Sequence, residues 1–268
     1  MTDSPTHPAP FNFSGDWGGQ VVATAVHNGH DLRAEICDAM KLDEQVRLRE
    51  EDPFTARIGQ RVPARVVVHR SRFEVDLNRG RADSVYRTPE DCWDLEVWRE
   101  NPLDDRLVEG SLSIYDDFYT RLAERLDRVA ERGPFVVYDV HSYNHRRDGA
   151  DRPAAPAEEN PEVNVGTGSL DRDRWAPVVD TFIGSLGSVR TSTGTLDVRE
   201  NVRFKGANLA RWVHERYPQT GCALALEFKK TFMDEWTGLT DDARLDELTE
   251  ALAQTTGPVL DVLRQIHA

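Results

Sequence analysis

Three apolar runs in this 268-residue sequence end in groups that can do chemistry. Gln20 to Val26 (QVVATAV) leads into His27-Asn28-Gly29-His30-Asp31. Pro134 to Val140 leads into His141-Ser142, and Cys222 to Phe228 carries Glu227. All three runs read as strands, and ligands in open α/β sheets collect at the carboxyl ends of strands. Two imidazoles and a carboxylate, with a further carboxylate as base, are the parts of a catalytic zinc site. A single histidine after a strand is more often a hydrogen-bonded loop residue. Glu227 is less ordinary, because a carboxylate within ALALEF is costly to bury unless it is paired or ligating.

Between the first two runs lies Ser71 to Arg79 (SRFEVDLNR), where Arg72 and Arg79 bracket Asp76 and Asn78. A planar guanidinium beside an amide suits two-point capture of a carboxylate. A surface ion-pair cluster would show the same charge pattern.

These groups need elements to hold them. Besides the three runs, Ala64 to His69 reads as a strand. Asp31 to Met40 has helical spacing, with Leu32, Ile36 and Met40 on one face. Glu50 to Pro53 reads as a turn, with Pro53 suited to the first turn of a short helix. Amphipathic helices are expected over about Asp116 to Arg132 and Asp241 to Gln254, and a third around Trp175 to Ile183. Alternating strands and helices indicate one α/β domain over residues 19–268 with a mixed or mostly parallel sheet. Residues 1–18 read as a flexible arm, and Arg146 to Asn160 as a long surface loop after a strand end, where α/β enzymes place functional loops.

Hydrophobic content of 39% and charged content of 30% suit a folded enzyme. The net charge of −14 disfavours nucleic acid or an anionic membrane as partner. Cys37, Cys92 and Cys222 match neither a disulfide framework nor a cysteine zinc site, which points to reduced thiols and a cytoplasmic setting. The polar N-terminus lacks an apolar leader core, and no apolar run reaches membrane-spanning length.

Six segments, in order, resemble the motifs of N-formylglutamate amidohydrolases. AVHNGHD stands where the family has Pro-His-x-Gly, and SRFEVDLNRG is similar to its most specific motif. DVHSY, VNVGTG, RFKGANLAR and ALALEFKKTFMDE resemble the remaining four. The set spans His27 to Glu235. It departs from the family at Val26, at Ala207, and at Tyr119, which stands where the family has a histidine. The likeness extends to the wider zinc carboxypeptidase and aspartoacylase group.

The resemblance implies a mixed central sheet flanked by helices, of the zinc-carboxypeptidase type. It implies Zn²⁺ held by His27, His141 and one carboxylate. Asp52 is favoured because the turn at 50–53 can return to the strand ends; Glu51 and His30 are the alternatives. Glu227 becomes the expected catalytic base. Arg72, Asn78, Arg79 and Lys205 become the expected substrate-binding set, for a small anionic N-acyl amino acid. A carboxypeptidase or deacylase with another substrate, and an inactive binding relative, are the rival readings.

Overall fold

The computed structural model describes residues 9–267 of the chain. In chain order the elements are β1 (Phe11–Gly15), β2 (Val21–Ala25), α1 (Ala34–Ala39), α2 (Glu44–Glu50), α3 (Thr55–Ile58), β3 (Ala64–Val68), α4 (Asp105–Ala130), β4 (Phe135–Tyr143), β5 (Val163–Gly166), α5 (Arg172–Gly187), β6 (Arg190–Thr191), β7 (Gly194–Thr195), β8 (Val198–Glu200), α6 (Asn208–Arg216), β9 (Gly221–Lys229) and α7 (Asp242–His267). Seven strands form one sheet in the order β1-β3-β2-β4-β9-β5-β8. The four central strands β3, β2, β4 and β9 are parallel, while β1 and β5 run antiparallel to their inner neighbours. This is the mixed α/β sheet expected, in a single domain.

Alternation along the central strands sends side chains to two helical layers. Val136, Tyr138 and Val140 of β4, with Leu224 and Leu226 of β9, pack on α5 and α7. Phe135, Val137 and Ala223 face the other way, onto α4 and α6. A third cluster of Phe73, Tyr86, Cys92, Trp98 and Leu103 fills the space beneath the irregular segment between β3 and α4.

Several boundaries differ from expectation. The arm reading over residues 1–18 fails at Phe11–Gly15, which pairs with β3 from Phe11↔Val68 to Gly15↔Ala64; residues 1–8 of it lie outside the described residues. The α4 helix starts at Asp105 rather than near Asp116. Asp104 caps it by accepting from the Arg106 N–H, and Val108, Ser111 and Tyr115 continue the buried stripe. The polar Ser111 in that stripe hid it from periodicity. The α7 helix runs on to His267 through Pro258, and Val259 and Leu263 are buried beyond the expected end. Pro53 precedes Phe54, the N-cap of α3, instead of lying in its first turn. No helix among the described residues is long and apolar enough to cross a membrane.

One packing detail yields a pH prediction. His214 of α6 accepts a hydrogen bond at Nε2 from the Ala223 N–H of β9 (2.9 Å), and its Nδ1 lies 2.9 Å from Ser169 Oγ. Burial pushes its pKa down to about 4 from 6.5. Between those values the unfolded chain takes a proton that the folded chain refuses, so stability falls as pH drops below 6.5. The full difference is roughly 3 kcal/mol. Urea unfolding should show the native chain losing about 2 kcal/mol more than His214→Gln between pH 7 and pH 5. Equal losses would show that His214 does not stay neutral.

Candidate metal centre and substrate cleft

Strands β2, β4 and β9 are consecutive and parallel, so their carboxyl ends lie side by side. His141 sits opposite Glu227 in the register, and Thr24 opposite Asp139. By the period of two, Asp139, His141 and Glu227 share the face of Val137 and Ala223. His27 follows β2. The turn after α2 comes back to it, with the Asp52 N–H donating to the His27 carbonyl at 3.0 Å and Thr55 Oγ1 donating to the Asp52 carbonyl at 2.7 Å. His27, Asp52 and His141 are all buried and place donor atoms within 4.8 Å of one another.

Asp52 Oδ2 lies 3.3 Å from His27 Nδ1 and 3.1 Å from His141 Nδ1. Metal–ligand bonds of about 2.0–2.1 Å at tetrahedral angles give ligand–ligand edges of about 3.3 Å, so the distances from Asp52 to both imidazoles are those of donors that could share one metal ion such as zinc. The far nitrogens are oriented by carboxylates. His27 Nε2 donates to Asp76 Oδ1 at 2.7 Å, and His141 Nε2 lies 3.1 Å from Asp139 Oδ2. Asp139 is held in turn by Thr24 Oγ1 at 2.6 Å; the oxygen it turns to His141 has no well-aligned hydrogen bond, so that pair is a charge contact. Asp76 accepts from the Tyr86 hydroxyl, Arg72 Nη2 (2.8 Å) and the Asn78 N–H (2.9 Å). A carboxylate hydrogen-bonded behind an imidazole, as Asp76 is behind His27, fixes its tautomer and raises its basicity toward a metal, while His141 Nε2 has Asn78 Nδ2 at 3.2 Å.

The charges agree with this arrangement. Burial opposes ionisation of Asp52, but His141 and His27 hold its pKa far below the usual carboxylate range. Burial likewise opposes charge on His141, and Asp139, Asp52 and Glu227 outweigh it, raising its pKa well above the ordinary value. Burial pushes Glu227 up to about 8, with Asp52 and Asp139 adding to the shift and His141 and Arg72 opposing it.

Glu227, Asn78 and Arg79 line the same cleft as the three donors, a space of about 310 Å³ that also takes in Trp93, Arg147 and Lys230. Asn78 is fixed by the Leu209 N–H, which donates to its Oδ1 at 2.9 Å. Tyr119 supports the same segment by donating to the Leu77 carbonyl at 2.6 Å. Arg79 stacks over Tyr86 with its guanidinium 4.7 Å from the ring centroid. Arg72 is tied to Asp76 as a side wall of the cleft.

Three expected residues stand elsewhere. Glu51 is buried and bonded to His30 Nδ1 at 2.5 Å and to the Ser71 hydroxyl, so the alternates Glu51 and His30 face each other, outside the donor cluster. Lys205 is exposed and does not line the cleft; its neighbours Phe204 and Ala207 do. The Lys205 carbonyl instead accepts from the Gly168 N–H at 2.7 Å, joining two loops through backbone. Conversely, Lys230 carried no signal in the sequence beyond its charge. It is 1% exposed and lines the cleft, and its ammonium donates to the carbonyls of Arg49 (2.6 Å) and Glu51 (2.7 Å). Those carbonyls flank the turn that delivers Asp52. Asp139 was legible only as the residue two before His141 on the same face.

No curated protein matches the chain. Solved structures share its fold, two of them over nearly the whole chain. An N-formylglutamate amidohydrolase from Ralstonia eutropha superposes with a TM-score of 0.74 at 17% identity, covering 96% of this chain and 99% of that one. A gene product of Agrobacterium tumefaciens gives a TM-score of 0.67 at 14% identity, covering 95% and 96%. The family model described as N-formylglutamate amidohydrolase matches residues 19–233, a span that contains every member of the metal and cleft cluster. The chain therefore belongs to the N-formylglutamate amidohydrolase family.

Proposed function

We propose that this protein is a zinc-dependent amidohydrolase that cleaves the N-formyl or N-acyl amide of an acidic amino acid of the formylglutamate type. The observation that carries the reading is the buried His27, Asp52 and His141 cluster with Glu227 beside it in one cleft. Zinc bound by those donors supplies Lewis acidity, which polarises a carbonyl and acidifies water. Glu227 takes the proton of the attacking water as the new C–O bond forms, and returns it to the nitrogen as the C–N bond breaks. Asn78 and Arg79 hold the substrate carboxylate, and Arg72 adds positive charge on the same side. Lys205 has no part in this scheme.

Hydrolysis of N-formylglutamate and related N-acyl amino acids, measured with and without added zinc, tests the proposal. Zinc-dependent release of a free amino acid supports it. Turnover confined to other acyl groups would make the protein a deacylase of different substrate. Zinc binding without any turnover would leave a binding relative.

Two variants test the supporting residues. Arg79→Lys keeps the charge but loses the two-point fork, so KM for acidic substrates should rise roughly tenfold with kcat little changed. An unchanged kcat/KM would remove Arg79 from substrate binding. Lys230→Met removes both bonds to the Asp52 turn and should weaken zinc affinity by about 10–100-fold, the range found for outer-shell partners. Lys230→Gln keeps a donor and should lose less. If loss of the lysine's charge mattered more than loss of its bonds, chelator competition would show both variants binding zinc more tightly.

A further inference from the structure

We propose that Trp93 is a stacking shelf for the side chain of the substrate's amino-acid half, so that the cleft accepts N-acylated aromatic amino acids as well as acidic ones. The proposal rests on the cleft reading given above. Trp93 is 55% exposed, and among the exposed large apolar side chains (Trp93, Val202 and Leu239) it alone lines the catalytic cleft. The backbone is bent to put it there. Trp93 and Asp94 both take left-handed conformations, with φ of 51° and 62°, a region that bulky residues rarely adopt. The preceding turn, Pro89–Cys92, is locked by a Thr88–Asp91 capping box, and Cys92 is buried in the cluster with Tyr86 and Trp98. The chain is therefore anchored at Cys92, and the next side chain is turned outward.

The indole lies beside the groups that would grip the substrate. The guanidinium carbons of Arg72 and Arg79 are 5.1 Å and 6.0 Å from its ring. A carboxylate held by Arg79 brings the side chain on the adjacent carbon near Trp93. Beyond the indole a second groove of about 530 Å³ continues the cleft, sharing Asn78, Arg79, Trp93 and Ala207 with it. Asp83, Glu90 and Asp91 line that groove and outnumber Arg79 and Arg211 there, which disfavours a long side chain ending in a carboxylate. Arg72 and Arg79 at its entrance disfavour a cationic one. An uncharged ring meets neither penalty and gains a stack on the indole, with guanidinium close to its face. A short acidic side chain can stay within the main cleft, which Arg147 also lines.

The test is calorimetric binding of N-formyl-tyrosine and N-formyl-leucine to zinc-treated Glu227→Gln protein, in which turnover is slowed by at least about 10²-fold. Tyrosine should bind about tenfold more tightly than leucine, the size of one aromatic stack. Adding Trp93→Ala should erase the difference, and Trp93→Phe should retain most of it. Equal affinities, no binding of either compound, or an equal loss for both in Trp93→Ala overturns the proposal. Turnover by the native protein separates this idea from the chemistry. Hydrolysis of formylglutamate without tyrosine selectivity sinks the shelf alone, whereas selective binding without hydrolysis sinks the amidohydrolase reading alone.

Discussion

Glu227→Gln is expected to lower kcat by at least about 10²-fold while zinc content stays near that of the native protein. Glutamine keeps the shape of the side chain, but it cannot accept a proton at the attacking water. The carboxylate belongs to neither the donor cluster nor an ion pair within 4 Å, so its removal strips no ligand and breaks no salt bridge. Its charge is also disfavoured where it stands, since burial and two neighbouring carboxylates all act against it. A residue kept in such a place for stability alone would be improved by the amide, and Glu227→Gln should therefore melt no lower than the native protein. Loss of zinc in this variant would make Glu227 a ligand. Full activity would end its role as base.

His141→Ala should take zinc content from about one ion per chain to near zero, with activity following. The loss exceeds the 10–100-fold typical of an outer-shell partner, because a direct donor disappears and two donors no longer outcompete water and buffer. Asp139→Asn is the matched control. It keeps the ligand but neutralises the carboxylate 3.1 Å from His141 Nε2, so affinity should fall within that smaller range. The fold also feels the larger change. Asp52 and Asp139 are buried on either side of His141, so its deletion leaves two carboxylates short of a partner. His141→Asn, which fills the space, separates loss of metal from loss of packing. Zinc retained at full stoichiometry in both variants would place the metal elsewhere.

The residues proposed to carry the chemistry could be picked out in the sequence because their placement along each strand is local. An apolar run ending in His27, in Asp139-Val140-His141 or in Glu227 states both a strand and the position of the group along it. The period of two then puts Asp139 and His141 on one face. The order of strands in the sheet is not local. Only the fold brought β2, β4 and β9 side by side, which turned three separate strand ends into one centre. Tertiary structure also chose among Asp52, Glu51 and His30. All three are polar residues near His27 in sequence or space, and the choice turns on which way each faces. Asp52 points to the imidazoles, whereas Glu51 is satisfied by His30 and Ser71. Lys230 and Trp93 had no pattern to betray them. A lysine's worth here depends on two carbonyls about 180 residues away in sequence. A tryptophan in an irregular segment is core or surface according to a backbone turn that no spacing encodes. Motif and periodicity determined which groups this protein presents. Strand order, and the burial it creates, determined which of them meet.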